Sequence, residues 1–264
     1  MRQRVPDEAG RNAMANERLR AALVGANLSV GGLSEIVGVD PKTVERWISK
    51  DRVPHRVHRM AVASAVGKDD GFLWPTAVSE AQRGETSREE LVGIHPSRGA
   101  IPMALWSGLL NQARRQIDIL AFAATFLHDA VPDFDATLAQ RAADGVQVRL
   151  CLGDPACDAV RLRGLEEGIG SSLADRCTLT WKYFRPFLDE PNIAARMHEQ
   201  TLYASMFRFD DDLLVNTHVL GSAAGSSPVL QLHHLPGGRM FTHFLDGFER
   251  TWDTARAVEA ADIT

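Results

Sequence analysis

The sequence has few cysteines and lacks the spacing of a metal site. Its 264 residues include three cysteines, Cys151, Cys157 and Cys177. An odd, small number of cysteines in a chain of this size argues against a disulfide scaffold and indicates a reducing compartment. Cys151 and Cys157 are too far apart for the paired-cysteine spacing of zinc sites. We therefore expect free, buried thiols, no structural metal and no cofactor.

Long apolar segments are also missing. No apolar run approaches the roughly 20 residues that a membrane-spanning helix needs. The first ten residues, MRQRVPDEAG, have no apolar stretch after their basic residues, unlike a secretory signal. We therefore expect a cytoplasmic, nucleoid-associated protein without a membrane partner, in which residues 1–14 form a flexible tail.

Net charge is distributed unevenly along the chain. Residues 1–68 carry 12 Lys and Arg against 7 Asp and Glu, a net charge of +5. The remaining 196 residues carry 17 against 27, a net charge of −10. A basic head on an acidic body is expected when only the head meets phosphate.

The basic segment has the pattern of a helix-turn-helix. An apolar face with helical spacing comprises Leu19, Ala22, Leu23 and Ala26. A short second helix is predicted to end at Gly38, and Asp40-Pro41 predicts the start of a third. Aspartate is a favoured N-cap, and proline fits the first helical position, where its missing N–H costs nothing. Two short helices joined by a tight turn can place the second one in the DNA major groove.

Residues 33–47, LSEIVGVDPKTVERW, resemble the Cro/repressor-like (XRE) helix-turn-helix family, whose Gly-Val-Ser-x-x-Thr-Val-x-x-Trp pattern they follow closely. The resemblance implies that Lys42, Thr43 and Arg46 contact base edges and that Lys50 and Arg52 contact phosphates. The carboxylate of Glu45 would accept a hydrogen bond from a cytosine amino group or form an ion pair with Arg46 or Lys42. The alternative for this segment is a helical bundle that binds protein.

The rest of the chain alternates between predicted helices and strands, which indicates a mixed sheet covered by helices. The predicted helices are 104–115, 137–144, pieces of 165–174, and 240–258. The predicted strands are 117–122, 146–152, 178–183, the hairpin 202–209 and 213–217, and 229–232. We therefore predict an α+β multidomain chain: tail 1–14, helix-turn-helix head 15–75, linker 76–90 and an α/β body 91–264.

The body resembles the phospholipase D-like (HKD) fold found behind such heads in some actinobacterial regulators. The resemblance involves residues 117–122, residues 145–154 and the hairpin around residues 208–218. Active members of that family use His-x-Lys-x4-Asp, in which His attacks phosphorus and Lys binds phosphate oxygens. In one register His198 is present but Gln200 replaces Lys and Ser205 replaces Asp.

A second register aligns Asp210 with the family's Asp. Tyr203 then takes the place of His and Ser205 that of Lys, and Asn216-Thr217 replaces Gly-Ser. Neither register supplies a complete catalytic set, so the resemblance implies a domain that is not an enzyme. Such a pocket can still bind, and polar residues crowd the hairpin: Arg196, His198, Gln200, Tyr203, Arg208, Asn216 and His218. The alternative is that these side chains simply face solvent.

The leading hypothesis is a DNA-binding transcriptional regulator. Its head would bind a double-stranded operator as a homodimer, and its body would dimerise or bind a small phosphorylated or nucleotide-like effector. One alternative is a phospholipase D-type nuclease or phosphodiesterase that uses His198. Another is an interaction adaptor whose body grips a protein partner.

Overall fold

A computed structural model of the chain describes residues 16–75, 77 and 80–263. The predicted tail, residues 1–14, lies outside these residues. Two compact units are present, and the division falls between Thr86 and Ser87. The predicted linker, residues 76–90, spans this division. No helix in the described ranges combines the length and the hydropathy needed to cross a bilayer.

The first unit is helical, and its turns follow local capping rules. Asn16 caps the first helix, since its Oδ1 accepts the Leu19 N–H at 2.9 Å. Gly38, with φ of +70°, ends the second helix in the left-handed conformation that glycine adopts without strain. The helices are α1 (Glu17–Gly25), α2 (Val30–Val37), α3 (Pro41–Ser49), α4 (Arg56–Val66) and α5 (Asp70–Leu73), and α6 (Glu80–Glu89) spans the division.

Helix α3 begins at the residue that the sequence predicts. The carboxylate of Asp40 accepts the N–H of Lys42 at 2.8 Å, and Pro41 occupies the first helical position. Val44, Trp47 and Ile48 have the helical spacing of one face, and all three are buried. Side chains from the other helices complete the core of the first unit: Leu19, Leu23, Leu33, Val62, Val66, Leu73 and Trp74.

The second unit is built on one eight-stranded mixed sheet. The strands are β1 (Leu91–His95), β2 (Gln116–Ala121), β3 (Gln147–Gly153), β4 (Ile193–His198), β5 (Ala204–Phe209), β6 (Asp212–Thr217), β7 (Val229–His233) and β8 (Arg256–Ala257). Their order is β1-β7-β6-β5-β2-β3-β4-β8, in which β2, β3 and β4 are parallel and the other neighbours antiparallel. The predicted α+β class is confirmed.

Helices cover both faces of this sheet. They are α7 (Met103–Gln112), α8 (Thr125–Ala130), α9 (Phe134–Ala143), α10 (Asp158–Glu166), α11 (Ser172–Phe184) and α12 (Met240–Thr254). Ile119 of β2 joins the larger core with residues of α7 and α9, and its neighbour Leu120 faces Phe248 of α12. Successive residues of a strand point to opposite faces, so β2 is buried on both sides.

One predicted strand, residues 178–183, is wrong, because these residues lie inside α11. The buried positions of α11 have the i, i+4, i+7, i+8, i+11 spacing of a helix: Leu173, Cys177, Thr180, Trp181 and Phe184. Three strands were not predicted: β1, β4 and the two-residue β8. The predicted hairpin is confirmed as β5 and β6, and the C-terminal helix as α12, which ends at Thr254.

The cysteines are all free. Cys151 and Cys177 are buried, as predicted, and burial raises the pKa of each thiol to about 12. Cys157 is only half-buried, and its sulfur accepts the N–H of Val160 at the start of α10. These thiols are therefore part of the packing of the body.

Candidate functional site

The surface of α3 that faces away from the core carries the predicted DNA contacts. Thr43 is half-buried, while the other five predicted residues are exposed: Lys42, Glu45, Arg46, Lys50 and Arg52. Thr43, Arg46 and Arg52 line a depression of about 300 Å³ together with His55 and His58. The two histidines lie at the start of α4, so they follow the predicted contact residues in the chain and were missed.

The body contains a pocket of about 170 Å³ at one edge of its sheet. Strands β1, β2 and β6 end at this edge, and β5 and β7 begin there. The loops that connect strands and helices at this edge therefore converge on one point. The polar side chains in its wall are Arg98, Thr125, Glu167, Arg176, Ser205 and His218.

Ser205 and His218 form a hydrogen-bonded pair in this pocket. The Oγ atom of Ser205 lies 3.0 Å from Nε2 of His218, and Nδ1 of His218 lies 3.1 Å from the carbonyl oxygen of Leu202. A carbonyl can only accept, so the neutral ring carries its proton on Nδ1 and accepts from Ser205 at Nε2. Burial, followed by the charges of Arg163 and Arg98, lowers the pKa of His218 to about 4.

Arg98 lies across the pocket in a short 3-10 helix after β1. Its Nη1 donates to Oδ1 of Asn216 at 3.3 Å, and its guanidinium stacks 3.9 Å from the ring centroid of Phe126. Among the described residues, no carboxylate forms an ion pair with it. Desolvation lowers the pKa of Arg98 to about 10. The charge of Glu167 partly offsets this effect, but no described carboxylate is in direct contact with the Arg98 guanidinium.

The remaining charges of the pocket leave it positive. Glu167 lines the pocket, but its Oε1 accepts from Nε of Arg163 at 2.8 Å. Arg163 also donates to the carbonyl oxygens of Val219 and Ser222, which fixes the loop after β6. Arg176 of α11 is exposed, and its charge contributes to the lowered pKa of Arg98. Arg163 also pairs with Glu166 at 3.4 Å, so the three arginines Arg98, Arg163 and Arg176 exceed the two carboxylates by one positive charge.

The geometry can be compared with known proteins. Residues 88–259 match the family described as "Domain of unknown function (DUF5919)". The chain belongs to that family. Every residue that lines the pocket lies within the DUF5919 domain. No curated protein matches the chain.

Several solved structures are similar to the chain. The phospholipase D family member Nuc from Salmonella typhimurium shares 16% identity with a TM-score of 0.38, covering 63% of this chain and 95% of that one. TrmBL2, an archaeal chromatin protein whose structure shows a mode of DNA binding, shares 13% with a TM-score of 0.42, covering 90% and 92%. Phosphatidylserine synthase from Haemophilus influenzae Rd KW20 shares 10% with a TM-score of 0.42, covering 64% and 40%.

The seven predicted ligand residues do not form one cluster in the DUF5919 domain. Only His218 lines the pocket, and Asn216 lies behind it, where its amide donates to the carbonyl oxygens of Ser227 and Pro228. Arg196 and Arg208 face α12 instead, because they alternate with the strand residues that face the larger core. Arg196 donates to the carbonyl oxygen of Trp252, and Arg208 pairs with Asp118.

His198, Gln200 and Tyr203 also lie outside the pocket lining. His198 is buried, with Nε2 at 3.1 Å from the carbonyl oxygen of Ala121 and Nδ1 accepting the N–H of Gln200. Burial is the largest cause that lowers its pKa. Tyr203 is 84% exposed, and the side chain of Gln200 is exposed as well. Both nitrogens of the one histidine that matches the HKD pattern are thus bonded to main chain.

Asp210, the residue of the second register, lies at the other end of β5. Its carboxylate accepts the N–H groups of Arg114, Arg115 and Gln116, each at 2.8 Å. These bonds fix the β5–β6 turn against the start of β2. Asp210 is therefore a turn residue remote from Ser205, which stands at the opposite end of the same strand.

Acid should destabilise the DUF5919 domain through His218. Its folded pKa is below the ordinary value of 6.5, so the folded state resists protonation. Stability from this group is complete above pH 6.5 and is lost as the pH falls from 6.5 to about 4. The slope approaches about 1.4 kcal/mol per pH unit for one such group. We expect His218→Gln to lose less unfolding free energy than the wild type between pH 7 and pH 5.

Urea unfolding followed by circular dichroism at the two pH values measures this difference. The exposed His243 provides a control, since His243→Gln should retain the wild-type pH dependence. An identical loss of stability in wild type and His218→Gln would contradict the prediction. His198, whose pKa is also lowered, accounts for a residual slope in every variant.

Proposed function

We propose that the chain is a sequence-specific DNA-binding transcriptional regulator. Its head binds a double-stranded operator through α3, in the manner of XRE-type helix-turn-helix proteins, and the protein acts as a homodimer. The DUF5919 domain does not catalyse; it binds a small phosphorylated or nucleotide-like effector, oligomerises, or does both.

The exposed cationic surface of α3 carries this proposal. Val44, Trp47 and Ile48 anchor one side of the helix, while Lys42 in the first turn and Arg46 in the last turn are exposed on the other. A helix held by its apolar side and cationic along its exposed side suits insertion into the major groove. Lys50 and Arg52 lie between α3 and α4 and are exposed, so they are accessible for contacts with phosphates.

The non-catalytic role of the body is supported by the bonding of His198. Its two ring nitrogens are occupied by main-chain groups, and neither Lys nor Asp stands nearby in the expected register. A nucleophile needs a free nitrogen directed at the substrate. Phosphodiesterase turnover that is lost in His198→Ala would overturn this part of the proposal.

An exposed apolar rim beside the pocket supports self-association. Tyr203, Val219 and Leu220 are 84%, 48% and 78% exposed and lie in the loops after β4 and β6. The N–H of His218 donates to the carbonyl oxygen of Tyr203 at 2.9 Å, which brings these two loops together. Exposed apolar side chains that lie close together commonly mark interaction surfaces. We expect Leu220→Glu to shift full-length protein toward monomer in light scattering, and unchanged mass would contradict use of this rim.

Replacing Arg46 and Lys50 should separate base reading from phosphate contact. We expect Arg46→Ala to weaken binding to a selected operator by roughly 10- to 100-fold, because a bidentate base contact is lost. Lys50→Ala should weaken binding to all sequences alike and reduce the salt slope by about 1. Operators selected from random DNA, followed by shift assays at several salt concentrations, measure both effects.

Lys68 supplies the matched control, since it is exposed and its removal changes the charge of the head by the same amount. Lys68→Ala should leave both operator affinity and salt slope close to wild type. Operator binding that is unaffected by both Arg46→Ala and Lys50→Ala would show that α3 is not the recognition helix. A stoichiometric protein partner recovered by residues 91–264 without DNA binding by the head would favour the adaptor hypothesis.

A further inference from the structure

We propose that the pocket around Arg98 binds a compact oxyanion, the anionic group of the effector that the DUF5919 domain recognises. The proposal deepens the proposed function and rests on it for the identity of the domain as a sensor. The proposed ligand residues are Arg98, Arg176, Ser205 and His218, of which the sequence predicted only His218 as a ligand residue.

Arg98 is the first observation that points to an anion. A guanidinium has five N–H donors, and in the described residues only one of them, on Nη1, has an acceptor, the amide oxygen of Asn216. One face of the guanidinium is covered by Phe126. Buried arginine is ordinarily paired with a carboxylate, and no described carboxylate pairs with Arg98. Its free donors therefore suit the paired oxygens of a carboxylate or phosphate group.

Arg176 adds a second positive charge to the lining of the pocket. Arg176 forms no ion pair in the described part of the chain, and the carboxylate of Glu167, which also lines the pocket, is hydrogen-bonded to Arg163. The positive charge of Arg176 disfavours the charged form of Arg98, and an anion between the two side chains would offset this repulsion. The attraction is stronger than in bulk water because the pocket is partly desolvated.

The Ser205–His218 pair can adjust to the charge of the ligand. In the free pocket Ser205 donates to Nε2 of His218, which leaves no hydroxyl proton for a ligand. When the Ser205 hydroxyl donates its hydrogen bond to an anion instead, His218 can take up a proton from solvent at Nε2 and donate a hydrogen bond to the Oγ atom of Ser205. The charges that face this ring are Arg98, Arg163, Arg176 and Glu167, so a bound anion would offset the excess that opposes protonation.

The size of the pocket limits the ligand. At about 170 Å³ it is smaller than the roughly 300 to 1,000 Å³ of pockets that enclose a drug-sized molecule. A small oxyanion fits, whereas a complete nucleotide could only insert its anionic group. The apolar contacts of the wall come from Phe122, Phe126 and Leu173, and they would bind carbon atoms next to the anionic group.

Thermal unfolding of the full chain with simple probes tests the proposal. The probes are inorganic phosphate, a small phosphate monoester and a small carboxylate, each at constant ionic strength with chloride as the reference. At ten times the dissociation constant we expect the body transition to rise on the order of 3 to 6 °C. The probe with the largest shift identifies whether the oxyanion is phosphate or carboxylate.

Arg98→Gln and Arg176→Gln should each raise the dissociation constant by about tenfold or more. Arg176 is exposed, so its replacement keeps the test informative if Arg98→Gln fails to fold. The control is Arg161→Gln, an exposed arginine on α10 that does not line the pocket. Equal stabilisation of all three variants, or no stabilisation of wild type by any probe, would overturn the proposal.

DNA binding, measured on the same proteins, separates this inference from the proposed function. If the wild type binds its operator but no oxyanion stabilises it, the proposed regulator function stands and the anion-binding proposal is overturned. If the protein binds an oxyanion through Arg98 and Arg176 but binds no DNA, the anion-binding proposal stands and the proposed regulator function is overturned.

Discussion

Replacing Asp118 with alanine should lower the free energy of unfolding of the body by about 3 to 5 kcal/mol. Asp118 lies on β2 and is 1% exposed. Its carboxylate accepts from Nε of Arg149 at 2.6 Å and from Nη1 of Arg208 at 3.2 Å. Arg149 in turn binds Glu249 of α12 through two hydrogen bonds of 2.9 and 2.8 Å. The substitution would leave two guanidinium groups partly buried without their shared anion.

Urea unfolding of the full chain at neutral pH measures this loss. Asp158 provides a matched control, because its side chain is 93% exposed and, among the described residues, pairs only with Arg161. Asp158→Ala should change the unfolding free energy by less than about 1 kcal/mol, as expected for a surface ion pair. If Asp118→Ala also lowered the unfolding free energy by less than about 1 kcal/mol, the network would not be what holds α12 against the sheet.

The head could be predicted closely because its signals are local. The Asp40 side chain and the Pro41 ring act within one turn of the helix that they start, so their effect does not depend on distant residues. Gly38 likewise ends α2 through its own backbone conformation. The buried stripe of α3 then follows from helical periodicity alone.

In the body, short apolar segments were harder to assign. Leu179, Trp181 and Tyr183 alternate with polar residues, which favours a strand in a six-residue window. The structure instead buries Trp181 and leaves Leu179 42% exposed, as a helix does. The period becomes clear only over the full length of α11, which starts at Ser172.

The pocket could be predicted only in part. The hairpin alone pairs Ser205 with Asn216 and so brings His218 close to Ser205, and this could have been derived from the predicted turn. Arg98 is different, because its place depends on the pairing of β1 with β7, two segments far apart in sequence. Local patterns carry no information about such a pairing, and β1 itself was not predicted.

Trp47→Ala should unfold the head while the body remains folded. Trp47 is 3% exposed, and its ring packs edge-on against Trp74, with centroids 6.4 Å apart. Truncating a buried tryptophan costs about 3 to 5 kcal/mol. A helical unit of about 60 residues has a total stability of roughly 3 to 9 kcal/mol. The loss therefore consumes most of the stability of the head, and operator binding should disappear although no DNA-facing side chain is changed.

Calorimetry should show the transition of the head lost or strongly lowered and that of the body retained, with shift assays reporting operator binding. Val24→Ala is the control, since Val24 is 77% exposed on α1 and its truncation should leave both readouts near wild type. If Trp47→Ala still bound the operator with wild-type affinity, a folded helical head would not be required for binding. The DNA contact would then have to come from elsewhere in the chain, because α3 is held in position by this side chain.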